Sequence, residues 1–161
     1  MIEQMKKIKM LVMDVDGTLT DGKIYIGPQG EDMKAFNVKD GYAIKHILPE
    51  MRIIPVIITG RTSAIVEYRA KELDITELYQ GVSDKLAQLK NVAEKYHLTN
   101  DQIAYVGDDV NDLLCIKYCG FSVCPNDAVE EVKKCVDYVC RIDGGYGAVR
   151  ELIDHFYTTI R

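Results

Sequence analysis

The chain has 161 residues, 47% of them apolar and 28% charged, and carries a formal net charge of −5. That is enough apolar material for one domain with its own core, and an acidic balance with no basic stripe argues against nucleic acid as a partner. No run approaches the roughly twenty apolar residues of a membrane-crossing helix, and the basic start, Met1 to Lys9, lacks a signal-peptide apolar stretch. The expectation is a single cytoplasmic domain over residues 1–161 with no membrane partner.

Taken in order, strand-like and helix-like periodicities alternate almost to the end. Strands are predicted at Lys9–Val15, Ile53–Thr59, Glu77–Gln80, Ile103–Val106, Phe121–Val123 and Tyr138–Val139. Helical patterns cover Gly41–Leu48, Ser63–Leu73, Asp84–Tyr96, Val110–Tyr118, Ala128–Lys134 and Gly147–Tyr157. Such alternation predicts an α/β fold, a Rossmann-like parallel sheet with helices on both faces. Pro55 lies inside the second strand and fits only near a strand start or an edge. Lys23–Phe36 breaks the alternation with two short extended runs around Gly27-Pro28-Gln29-Gly30, which reads as a projecting β-hairpin. Its apolar residues Ile24, Tyr25, Ile26, Met33 and Phe36 fall on both faces, and a lone hairpin is marginal in water, so another surface is expected to cover it.

The chemistry gathers at strand ends. Leu11 to Val15 is an apolar run in which Asp14 and Asp16, two residues apart, share a face and can converge on a cation; taken alone, the segment is equally a strand closed by an Asp-Gly turn. Thr59 and Gly60 follow the second strand just before a helix, where a hydroxyl and free N–H groups suit an anionic oxygen. Arg69 sits in the middle of the next apolar stripe and reads as a paired snorkelling side chain or as an anion ligand. Lys85 stands in a first helical turn, against the helix dipole, where Asp84, solvent or a ligand phosphate would offset it. Asp108, Asp109 and Asp112 crowd into five residues after the fourth strand, as caps or as metal-binding groups. Asp143 to Gly147 is glycine-rich and precedes the last helix, either as a flexible lead-in or as backbone that approaches a ligand. The five cysteines fall late and form no CxxC pair; Cys115 and Cys119 could share a metal, but buried apolar fillers in a reducing compartment account for them as well.

Asp14-Val15-Asp16-Gly17-Thr18, then Thr59-Gly60-Arg61, then Lys85, then Gly107-Asp108-Asp109-Val110-Asn111-Asp112 resemble the four ordered motifs of the haloacid dehalogenase superfamily of phosphotransferases. Lys34 to Gly41, Tyr79 to Lys85 and Gly147 to Glu151 narrow the resemblance to its capless sugar-acid phosphatase branch. The resemblance implies Mg²⁺-dependent hydrolysis of a 3-deoxy-ulosonate phosphate, most simply one with eight carbons. Asp14 would be the nucleophile that forms an aspartyl-phosphate, and Asp16 the general acid and then base. Asp14, the carbonyl of Asp16 and Asp108 would hold the metal, supported by Asp109 and Asp112. Thr59, Gly60 and Lys85 would hold the phosphoryl group, and Arg61 and Arg69 the sugar carboxylate.

Neither gap where relatives insert a cap domain is long enough here. The resemblance therefore implies a homotetramer in which a neighbour's hairpin (about 23–36) and glycine-rich tail (about 143–147) close the site. Thr18, where relatives often carry valine, and Tyr146 depart from the pattern and leave two alternatives open: a phosphatase of a nine-carbon sialic-acid-like phosphate or phosphoprotein, and a non-catalytic oligomerisation module.

Overall fold

The computed structural model describes residues 2–160. Six strands form one sheet: β1 (Met10–Met13), β4 (Ile54–Ile58), β5 (Glu77–Tyr79), β6 (Ile103–Val106), β7 (Phe121–Cys124) and β8 (Tyr138–Val139). Their order is β5-β4-β1-β6-β7-β8, with every neighbouring pair parallel. All six predicted strands are present: β1, β4 and β5 are trimmed at their ends, β6 and β8 keep the predicted bounds, and β7 runs one residue further. The separate antiparallel pair β2 (Tyr25–Gly27) and β3 (Gly30–Met33) is the predicted hairpin.

Alternation along β1 divides the interior. Leu11 and Met13 face a layer that includes Ile44, Val66, Val149, Leu152 and Phe156, while Met10 and Val12 face Leu89, Val92, Tyr105 and Ile116. Both faces are therefore covered, as a parallel sheet requires. The covering helices are α2 (Val38–Tyr42), α3 (Ala64–Glu72), α4 (Lys85–Lys95), α5 (Leu113–Tyr118), α6 (Glu130–Lys133) and α7 (Ala148–Ile160), after a short α1 (Ile2–Met5) that periodicity did not reveal. In α7 the apolar stripe Val149, Leu152, Ile153 and Phe156 is wholly buried, as its spacing predicts.

Pro55 is accommodated by register. The N–H of Ile54 bonds to Lys9 across the β1 side, so the missing donor of Pro55 points the other way, and β5 begins to pair only at Val56. The helix predicted over Gly41–Leu48 is instead α2 followed by a π-helical stretch, Ala43–Ile47, and Val110–Asp112 is a 3₁₀ turn ahead of α5. The five cysteines are free. The Cys119 thiol points at the carbonyls of Ile116 and Phe121, and burial pushes the Cys115 thiol up to about 12, so the pair is packing rather than a metal site.

Candidate active site at the carboxyl ends of the central strands

The three central strands, β4, β1 and β6, end side by side. Asp14 follows β1 and still donates its N–H to Val106, Thr59 follows β4 and donates to Tyr79, and Asp108 stands two residues beyond β6. A cavity of about 170 Å³ is lined by Asp14, Asp16, Thr59, Gly60, Arg61, Asp109 and Asn111. Two larger hollows lie elsewhere, and neither is lined by a strand-end carboxylate.

The loop after β1 is wound tightly. The Val15 carbonyl accepts from the N–H groups of Thr18, Leu19 and Thr20, and the Thr20 hydroxyl, wholly buried, accepts from Gly17 and Gly22. Gly17 has φ +91°, and a Cβ there would meet Asp108 Oδ2 at 2.0 Å. Glycine thus satisfies the backbone and leaves space for the second carboxylate.

Lys85 opens α4 with Nζ 2.9 Å from Asp14 and 2.8 Å from Asp112. Its conflict with the helix dipole is therefore resolved by two buried carboxylates, not by Asp84, which caps the helix by accepting from Ala87. Asp112 is fully buried and its oxygens are occupied: Oδ1 by Lys85 and the Tyr105 hydroxyl, Oδ2 by the N–H groups of Asp108 and, more weakly, Asp109. It acts as a brace for the loop and for Lys85. Asp109 caps the 3₁₀ turn and also reaches the cavity wall.

Asp14, Asp108 and Asp112 bring one carboxylate oxygen each within 4.8 Å of one another. Burial, and next Asp112, raises the Asp14 carboxyl to about 6 against the opposing pull of Lys85. Burial, and next Asp14, raises Asp108 to about 7. Lys85 reaches Asp14 and Asp112, whereas Asp108 accepts from the neutral Thr18 hydroxyl at 3.1 Å. Hard, crowded oxygen donors with one side still facing like charge suit a divalent cation such as Mg²⁺.

The chain is similar to known proteins. A family model of haloacid dehalogenase-like hydrolases matches residues 56–149. The chain belongs to the haloacid dehalogenase-like hydrolases. It is 46% identical over 153 residues to the 3-deoxy-D-manno-octulosonate 8-phosphate phosphatase KdsC of Escherichia coli K12, covering 95% of this chain and 81% of the relative. The phosphatase of the same name from Yersinia pestis superposes with a TM-score of 0.95 at 43% identity, covering 99% of this chain and 85% of that one. A Moraxella catarrhalis phosphatase of that name, in complex with magnesium, phosphate and KDO, superposes at 0.94 with 39% identity over 98% of this chain and 90% of its own.

Within this hydrolase the structure also separates the two arginines. Arg61 lines the cavity, with Nε 3.8 Å from Asp16 and Nη2 3.7 Å from Glu31. Arg69 does not line it. Its guanidinium bonds Glu72 at 2.7 Å, donates to the Asn37 carbonyl and lies over the Phe36 ring, where the α2–α3 junction forms a separate hollow. In the single chain Arg69 is thus a paired, snorkelling side chain that lies outside the strand-end cavity.

The glycine-rich stretch lies against the chain's own loop after β1: Gly145 donates to the Thr18 carbonyl, Gly144 donates to Asp127, and a Cβ on Gly144 would meet the Gly17 carbonyl oxygen at 1.8 Å. Its glycines permit backbone to press on backbone beside Asp16.

Sequence reasoning missed four contributors. Lys34 and Glu31 come from the hairpin, Lys34 bonding Asp16 and Glu31, and Glu31 bonding the Ser63 hydroxyl that caps α3. Thr18 and Tyr105 hold Asp108 and Asp112. For Thr18 a signal was present, a polar side chain inside the first motif; Lys34 opened one of the stretches that carry the resemblance, but a lysine after a polar strand otherwise reads as solvated surface.

Proposed function

We propose that this hydrolase is a Mg²⁺-dependent phosphatase that removes phosphate from 3-deoxy-D-manno-octulosonate 8-phosphate by way of an aspartyl-phosphate on Asp14. The observation that carries the reading is the meeting of Asp14, Lys85 and Asp108 at one strand-end cavity, in a chain similar from end to end to phosphatases of that name.

Asp14 carries the nucleophilic oxygen. Lys85 at 2.9 Å favours its ionised form, so the carboxylate is available at neutral pH despite its burial. Its oxygen bonds to phosphorus as the phosphorus–oxygen bond to the sugar breaks, and Asp16 hands a proton to the leaving alkoxide. Asp16, now ionised, takes a proton from the water that attacks phosphorus, which frees inorganic phosphate and restores Asp14. Thr59, the N–H groups around Gly60 and Lys85 hold the phosphoryl oxygens, where charge spreads in a loose transition state. Mg²⁺, held by Asp14, Asp108 and the Asp16 carbonyl with Asp109 and Asp112 in support, supplies positive charge against those oxygens.

Arg61, exposed beside the cavity, is the group placed to read the sugar carboxylate by a forked pair of hydrogen bonds. A homotetramer is the proposed assembly, supported by the hairpin, on which Ile24, Tyr25, Ile26 and Met33 are all exposed. Two such apolar faces are stable only when covered. A cytoplasmic location is part of the same proposal; no helix among the described residues is long and apolar enough to cross a membrane.

The test is phosphate release across a panel of eight-carbon and nine-carbon sugar-acid phosphates and plain sugar phosphates with Mg²⁺. The eight-carbon 3-deoxy acid is expected to give the highest kcat/KM; preference for a nine-carbon acid would reassign the substrate, and no turnover of any would overturn the reading. Light scattering tests the assembly, with a tetramer expected for the wild type and smaller species for Ile24→Glu with Ile26→Glu.

A further inference from the structure

Lys34 follows β3 directly, on the hairpin, where an exposed lysine would be ordinary. Its side chain is instead completely buried, between Asp16 on one side and Glu31 at 2.9 Å on the other. Glu31 continues the connection by accepting from the Ser63 hydroxyl and lying 3.7 Å from Arg61. A row of alternating charge thus runs from Asp16 through the hairpin to the first turn of α3. A buried ammonium is retained only where it is paired, and here both partners lie at the edge of the active site.

The geometry at Asp16 is asymmetric. Lys34 Nζ binds Oδ1, while Oδ2 lies on the side of Arg61, with which Asp16 lines the cavity. A carboxyl group that must deliver a proton and then retrieve one needs one oxygen facing the substrate and a fixed orientation. We propose that Lys34 is the positioning residue for Asp16: by gripping Oδ1 it fixes the carboxyl group so that Oδ2 addresses the leaving oxygen, and Glu31 with Ser63 fixes Lys34. The hairpin then belongs to the chemistry of its own chain, through one buried side chain, as well as to any contact between copies. This rests on the reading of Asp16 as general acid and base.

The consequence is selective by leaving group. A sugar alkoxide departs with difficulty and needs the proton; a nitrophenolate departs without one. Lys34→Met keeps the length of the side chain and removes the grip. With Mg²⁺ saturating and the first phosphoryl transfer read by single-turnover release of the leaving group, that rate on the sugar-acid phosphate is expected to fall about 10²-fold, the lower end of what general acid catalysis contributes, while on p-nitrophenyl phosphate it stays near the wild-type value. Steady-state kcat should fall on both, because water attack on the aspartyl-phosphate needs Asp16 as base whichever ester supplied the phosphate, and across a series of aryl phosphates the release rate should depend more steeply on leaving-group pKa. Lys34→Arg should recover part of the loss on the sugar-acid phosphate.

Asp16→Asn run in parallel separates the two claims. If it shows the selective loss and Lys34→Met does not, the positioning role is wrong and the acid assignment stands. If Asp16→Asn slows leaving-group release equally on both substrates, the acid assignment fails and takes the positioning role with it. An equal slowing of that release on both substrates in Lys34→Met, or none, overturns the proposal. Because Lys34→Met could unfold the hairpin, Glu31→Gln serves as the second variant, with far-UV circular dichroism confirming the fold. It leaves Lys34 in place with a weaker anchor and should show the same selectivity at smaller size, and an equal slowing of release on both substrates there also counts against the proposal.

Discussion

Gly144→Ala probes the contact between the glycine-rich stretch and the loop after β1, far in sequence from any proposed catalytic motif. The added Cβ would sit 1.8 Å from the Gly17 carbonyl oxygen and 2.6 Å from its carbon, both backbone atoms, where real contacts stay beyond 3.0 Å. Backbone must therefore separate by more than an ångström there. The separation endangers two hydrogen bonds, Gly145 to the Thr18 carbonyl at 3.1 Å and Gly144 to Asp127 at 2.8 Å. Each contributes about 0.5–1.5 kcal/mol net, and overpacking in a filled site adds about 1–3 kcal/mol. The expected loss is about 2–6 kcal/mol, read as a lower urea midpoint with unchanged m-value at fixed protein concentration. Displacing the loop between Asp14 and Thr20 by that distance should also lower kcat on every phosphate ester, by about 10²-fold. A variant with wild-type midpoint and turnover would show that the stretch does not brace the loop, and would favour reading it as a flexible lead-in to α7.

Metal-free stability should depend on pH in a defined direction. Asp14 and Asp108 hold their protons up to about 6 and 7 in the fold, chiefly through burial, against about 3.9 for an aspartate in an unfolded chain. The native state binds more protons between those limits, so stability without metal falls as pH rises from about 4 to about 7, and Mg²⁺ restores most at the upper end. Thermal scans with EDTA and with Mg²⁺ across that range check it, a pH-independent gap between the two being the contrary result. Arg61→Ala should reduce kcat/KM for the sugar-acid phosphate far more than for p-nitrophenyl phosphate, which has no carboxylate. Arg69→Ala should lower the melting temperature and affect both substrates alike, because its partners Glu72 and Asn37 belong to the fold.

The sheet was legible because buried parallel strands are short apolar runs separated by amphipathic helices, and no feature of this chain disguises them. Asp14, Asp16, Lys85 and Asp108 were legible for a related reason: charges placed directly after apolar strands or against a helix dipole conflict with their surroundings unless chemistry requires them. Helix ends were less so, since the π-helical stretch at Ala43–Ile47 and the 3₁₀ turn at Val110–Asp112 share the apolar spacing of an α-helix. Arg69 and Lys34 were less legible, because spacing reveals that a cation lies on an apolar stripe or after a strand, but not that Arg69 reaches the distant Asn37 carbonyl as well as its helical neighbour Glu72, or that the hairpin folds back to deliver Lys34 to Asp16.

The central claim, that Asp14 takes the phosphoryl group, is tested most directly by acid-quenching the enzyme during turnover of 3-deoxy-D-manno-octulosonate 8-phosphate with Mg²⁺ and locating phosphate on the chain by mass spectrometry. One phosphoryl group on the peptide holding Asp14 is predicted, absent in Asp14→Asn, which should be folded, bind substrate and release no phosphate. Phosphate on another residue, or sustained turnover by Asp14→Asn, would contradict the account.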